Sequence, residues 1–238
     1  MTTLNPVKKI EEILVAAWTI KDVLVVTLCI LGGGIIFYFS LLFLFGDSTT
    51  TFRLARYVGS LLTIFIPLFW INKRYGLTKE ALGLKKGNLS LPLSVLIGIV
   101  TGLFYSFLIK STLFRYGSVI DLNIPNLYIY LILVPISIGG FVTIVLTPVG
   151  EEIMFRGFMY GYFRKKMGII YGLLFQAFLF SLIHFKYIYG NTFKFIVGGF
   201  LAGLILGILY EKTGSIYPSI ICHGTINYLA IIFKFIQL

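Results

Sequence analysis

Six residues in this chain could do chemistry together: Glu151, Glu152, Arg156, His184, His223 and Asn227. Two carboxylates, two imidazoles, a guanidinium and an amide are the parts needed to activate water against a carbonyl group. Spacing sorts them. Glu152 and Arg156 are four apart, so on a helix they share a face and can pair. Glu151 is rotated by about 100° from Glu152 and points elsewhere, which leaves it the freer carboxylate and the better general base. His184 would hold the water that Glu151 deprotonates. His223 and Asn227, again four apart, would donate hydrogen bonds to a developing oxyanion. Glu151, His184 and His223 also form a two-His, one-carboxylate set of the kind that holds catalytic Zn²⁺ with an open position. No HExxH pattern accompanies them. Cys222 adjoins His223, but neighbouring helical residues do not face each other, so it reads as a packing residue.

The surroundings make these groups conspicuous. The 238 residues are 58% hydrophobic and only 12% charged, against about 25% charged in soluble domains. The apolar residues form long runs, each close to the roughly 20 residues that cross a bilayer. An ionisable group at the centre of such a run costs about 2.5–3.5 kcal/mol on insertion scales, so several together point to one shared polar site. The chain has only two histidines, and both fall in its last third.

These runs predict an all-α polytopic transmembrane helical bundle of about seven or eight spans: 23–45, 55–72, 91–110, 127–163, 168–186, 193–210 and 216–236. The segment 127–163 is too long for one straight crossing. Pro135 and Pro148 predict that it is kinked, projects from the bilayer, or divides in two. A turn near Met167 and Gly168 joins it to the next span. If the two form an antiparallel hairpin, Glu151 and His184 lie at matched height. The organisation expected is an interfacial segment at 1–22, three helices within 23–126, and a catalytic core at 127–238. Within 1–22, "NPVKKIEEILVAAW" reads as a short amphipathic helix capped by Asn5.

The net charge of +11 belongs to the membrane rather than to nucleic acid. Its lysines and arginines cluster in short loops, among them Lys73, Arg74, Lys85, Lys86, Lys165, Lys166 and Lys212. That bias places the N-terminus on the cytoplasmic side of a cell membrane. Gly199, Gly203 and Gly207 are spaced four apart in one span, which lets a second helix approach closely. Gly168 and Gly172 repeat the spacing. The two cysteines, Cys29 and Cys222, make no disulfide framework.

At the six polar residues the sequence resembles a known family. "EEIMFRG" (Glu151–Gly157) is similar to the EExxxR signature of the CAAX proteases and bacteriocin-processing enzymes, the CPBP or Abi family. "FSLIH" (Phe180–His184) resembles its FxxxH motif, and "HGTIN" (His223–Asn227) its HxxxN/D motif. The three occur in the family's order, within residues 127–236. The resemblance implies an intramembrane endopeptidase acting on a membrane-associated peptide or protein, with a CAAX-type or bacteriocin-related substrate. It implies Glu151 as the catalytic glutamate, supported by Glu152 and Arg156. His184 becomes the water- or metal-holding histidine, with His223 and Asn227 the third motif. Such enzymes have been described both as metalloproteases and as metal-independent glutamate proteases. Two other classes stay open: a non-catalytic bacteriocin self-immunity or scaffold protein of the same fold, and a small proton-coupled transporter. The pairing of Arg156 with a glutamate counts against the transporter, because it holds the carboxylate charged.

Overall fold

A computed structural model describes residues 16–112, 133–183 and 192–236. Every regular element among them is helical. Five stretches are long and apolar enough to cross a membrane: Ile20–Phe45, Thr49–Tyr75, Leu91–Ile109, Ile138–Ile183 and Lys194–Thr213. A shorter apolar helix covers Tyr217–Phe233. The stretch Ile138–Ile183 is not one rod. Gly168 takes φ 77° and breaks it, a conformation that glycine adopts without a Cβ penalty. Beyond the break the chain doubles back. A Cβ on Gly172 would lie 3.0 Å from the Arg164 Cα, and the rings of Phe163 and Phe175 stack edge to face at 4.6 Å. The expected antiparallel hairpin is present. Gly168, however, serves as its turn rather than as a second packing glycine.

We number the helices α1 (Ile20–Phe45), α2 (Thr49–Tyr75), α3 (Leu91–Thr112), α4 (138–167), α5 (169–183), α6 (Thr192–Thr213) and α7 (Tyr217–Ile236). A short 3₁₀ turn at Lys79–Leu82 lies between α2 and α3. The bundle is the polytopic helical architecture that the apolar runs predict. The amphipathic helix expected near Asn5 and the residue His184 lie outside the described residues.

Several basic residues, Arg74, Arg164 and Lys165 among them, collect at one end of the bundle. Asn88 N donates to Thr213 O (2.9 Å) and Ile216 N to Gly83 O (3.0 Å), joining the loop before α3 to the α6–α7 turn. Arg164, near the hairpin tip, grips both oxygens of Glu211 at 2.8 and 2.9 Å. A planar guanidinium suits such a two-pronged bond. α1 joins the same end through Asp22, whose carboxylate accepts from Trp70 Nε1 (3.0 Å) and pairs with Arg74 (2.9 Å).

Helix α4 is where sequence and local geometry diverge most. Two wide π-helical runs, Val142–Leu146 and Ile153–Tyr160, flank a short α-helical piece, Thr147–Glu152. Pro148 explains the first run. A proline lacks the N–H that the helix interior requires, and the chain accommodates it by widening one turn: Thr147 N reaches back five residues to Val142 O. The sequence predicts a segment that is kinked, projects from the bilayer or divides in two at its prolines; at Pro148 the structure has a continuous helix with a π-helical run just before it. Such runs are rare and gather at functional sites.

The close-packed glycines of α6 are also visible. A Cβ on Gly203 would sit 2.8 Å from the Ala177 Cα. Gly203→Ala therefore has to push α5 and α6 apart. Overpacking of this kind costs about 1–3 kcal/mol, and a lowered thermal midpoint of the purified protein would report it.

Candidate active site

Glu151 and Glu152 end the short α-helical piece of α4, and Arg156 stands one turn further on. α7 carries His223 and Asn227, and α5 carries Phe180. Glu152 and Arg156 are both fully buried, with 0% side-chain exposure. Arg156 Nη1 donates to Glu152 Oε1 at 2.8 Å, the pairing that four-residue spacing predicts. Its Nη2 donates to the carbonyl of Gly203 on α6 at 3.2 Å. The same carbonyl accepts from Gln176 Nε2 at 2.8 Å. The Arg156 Cζ lies 4.4 Å from the ring centroid of Phe180, close enough for a cation–π contact. A buried ion of this kind persists only when paired and hydrogen-bonded on several sides, and Arg156 is.

Glu152 has a second partner. His223 Nδ1 is 2.9 Å from Glu152 Oε1. Glu152 Oε1 already accepts from Arg156, so Nδ1 is the nitrogen that carries the proton and donates to it. The network assigns the tautomer. Nε2 is then left to accept. It faces Glu151 Oε2 at 3.7 Å, too far for a direct hydrogen bond. Glu151 Oε2 is buried and has no hydrogen-bond partner among the described residues. Two acceptors thus face each other across a gap that one water could bridge by donating to both. The Phe180 ring closes one side, edge to face with His223 at 5.6 Å and with Phe155 at 5.2 Å.

Asn227, one turn beyond His223 on α7, also meets α4. Its Nδ2 donates to the backbone carbonyl of Thr143 at 2.9 Å. In a π-helical run the partner of that carbonyl lies five residues on, and this residue is Pro148, which has no N–H. Asn227 supplies the missing donor. The amide carries a second N–H, so this bond does not use up its donors. Cys222 is buried and free, as a packing residue should be.

The structure therefore brings together Glu151, Glu152, Arg156, His223 and, through α4, Asn227. His184 lies outside the described residues. The link between Glu152 and His223 could not be read from sequence, because the two are 71 residues apart and nothing in either motif says which glutamate meets the ring. Among the described residues no three His, Cys, Asp or Glu side chains gather as a metal site. Glu151 and His223 supply two donors, and the third of the set read from sequence is His184. A carboxylate behind the non-ligating nitrogen, as Glu152 stands behind His223, is the usual support of a metal-bound imidazole, so the donor chemistry fits a metal as far as it is described.

Comparison with known families bears on this site directly. Residues 130–229 match the family model described as "Type II CAAX prenyl endopeptidase Rce1-like". The match spans all three motifs and agrees with the family they resemble. It covers α4 to most of α7, and leaves α1 to α3 outside. Searches of curated proteins and of solved structures found no match.

Proposed function

We propose that the segment matching the Rce1-like prenyl endopeptidases, residues 130–229, works as an intramembrane endopeptidase, with a C-terminal peptide on a prenylated cysteine as its substrate class. That family is one of proteases, and the helical bundle around the segment is a multi-pass membrane architecture. The observation that carries the reading is the pair of open acceptors, Glu151 Oε2 and His223 Nε2, 3.7 Å apart, inside an otherwise apolar bundle. A water donating to both loses a proton to Glu151 as it attacks the scissile carbonyl. Glu151 then holds the proton for the leaving amine. Glu152 keeps the His223 ring in the tautomer that accepts at Nε2, and Arg156 holds Glu152 in place through the bond to Oε1. His184, by its family motif, would complete the hold on the water. If Zn²⁺ is bound, Glu151, His184 and His223 would hold it, and it would supply a water of lowered pKa.

The test is cleavage by the purified full-length protein. The substrate is a farnesylated peptide ending in a CAAX sequence, and the products are read by mass spectrometry. Cleavage after the modified cysteine is expected. Its absence, with both prenylated and unmodified peptides, would overturn the reading. A chelator arm addresses the metal. Turnover lost on chelation and restored by Zn²⁺ assigns the three donors to a metal. Turnover that survives chelation leaves water activation to Glu151 and the histidines.

A further inference from the structure

Helix α4 is held toward its C-terminal end by residues far outside the matched segment. Residues 16–19 precede α1 and lie against α4. Ala16 and Trp18 are each only 3% exposed. The Trp18 ring stacks on Phe158, with centroids 5.0 Å apart and planes 12° from parallel. Its indole Nε1 donates to the Phe158 carbonyl at 2.8 Å in a buried setting. Lys165 Nζ donates back to Ala16 O at 3.0 Å. Gly161 leaves space for the contact: a Cβ there would meet Trp18 at 3.2 Å and Ala16 at 3.5 Å. On another face of α4, a Cβ on Gly157 would lie 2.5 Å from Leu82 O. The segment 16–19 is itself anchored. Thr19 donates through both N and Oγ1 to Asp22, at 2.8 and 2.7 Å, and Asp22 is tied to the end of α2 by Trp70, Tyr75 and Arg74.

Phe158 stands two residues after Arg156, in the same π-helical run, and three before the junction with α-helix at Gly161. At such a junction the backbone ladder shifts from five-residue to four-residue steps, and the carbonyls across it are served irregularly. A buried carbonyl without a donor is costly. The first π-helical run meets the same need through Asn227 on Thr143. We propose that Trp18 is a positioning residue for the Glu152–Arg156–His223 centre, acting through the carbonyl and ring of Phe158. The inference rests on the endopeptidase reading for its effect on rate, though not for its effect on α4. By holding the Ile153–Tyr160 run wide, Trp18 fixes the rotation at which Arg156 meets both Glu152 and Gly203.

Trp18→Phe keeps a stacking ring and removes only the N–H. The full-length variant in detergent is compared with the wild type by hydrogen–deuterium exchange and by turnover of the farnesylated peptide. One net hydrogen bond predicts exchange about 2- to 10-fold faster over 153–163, with α7 unchanged. kcat should fall by a similar factor while KM stays constant, because the run carries the centre rather than the substrate's binding surface. Unchanged exchange over 153–163 overturns the proposal, whatever the turnover. Faster exchange with wild-type kcat also overturns it, since Trp18 would then only stabilise. Should the wild type cleave no peptide, the endopeptidase reading fails by itself, and the exchange arm still decides whether Trp18 holds the run.

Discussion

Glu151→Gln should abolish measurable turnover while the protein folds, inserts and unfolds as before. The substitution preserves shape and removes basicity. General-base catalysis is worth about 10²–10⁴ in rate, and Glu151 is the carboxylate that faces the open Nε2 of His223. Its Oε2 has no hydrogen-bond partner among the described residues, so a neutral amide forfeits no existing contact there. Turnover of the farnesylated peptide and thermal unfolding in detergent, measured side by side, check the two halves. Near-native turnover in this variant would mean that the chemistry has been assigned to the wrong glutamate.

Arg156→Ala should fail in the opposite order, through the fold first. Glu152 is fully buried, and without Arg156 only His223 faces its charge. Breaking one side of a buried ion pair costs about 3–5 kcal/mol, a large part of the roughly 5–15 kcal/mol that holds a typical domain. Low yield and a depressed thermal midpoint should precede any kinetic effect. The cause can be isolated. Adding Glu152→Gln to Arg156→Ala removes the stranded charge, and the double variant should recover part of the lost stability, as a coupled pair does. It should not recover turnover, because His223 then lacks its ionised anchor. Equal stability of the two variants would show that the penalty is lost packing against Phe180 and not charge.

Local chemistry made much of this centre legible in advance. The Glu152–Arg156 bond follows from helical spacing alone. The hairpin follows from a glycine and three basic residues, Arg164, Lys165 and Lys166, between two apolar runs. The tight fit of Gly203 against Ala177 follows from small residues four apart. What stayed hidden depends on tertiary approach. Glu152 takes His223 as a second partner because α7 crosses α4 at that height, and no periodicity encodes a crossing. Asn227 reads as an oxyanion donor because its type and spacing fit one. Its bond to Thr143 arises only once Pro148 has widened the turn, and spacing rules that assume 3.6 residues per turn cannot anticipate that. The glycine at 168 misleads for a related reason. Spacing of four from Gly172 imitates a packing pair, whereas the φ of 77° makes it a hinge of the chain.

The two π-helical runs of α4 make residue count, and not only residue identity, a property of this protein. A wide turn is an α-helical turn with a residue to spare. Deleting one position between Arg156 and Gly161 would let Ile153–Tyr160 wind as ordinary α-helix, with no loss of helicity. Because the spare residue is the one removed, the helix beyond would keep its facing, so that Gly161 still meets Trp18 and Arg164 still meets Glu211. Inside the run the twist per residue would rise to the α value, and the angle at which Arg156 meets Gly203 would change. A circular-dichroism spectrum of such a deletion variant should look native while turnover is gone. Along this stretch the chain should tolerate a changed letter more readily than a changed length.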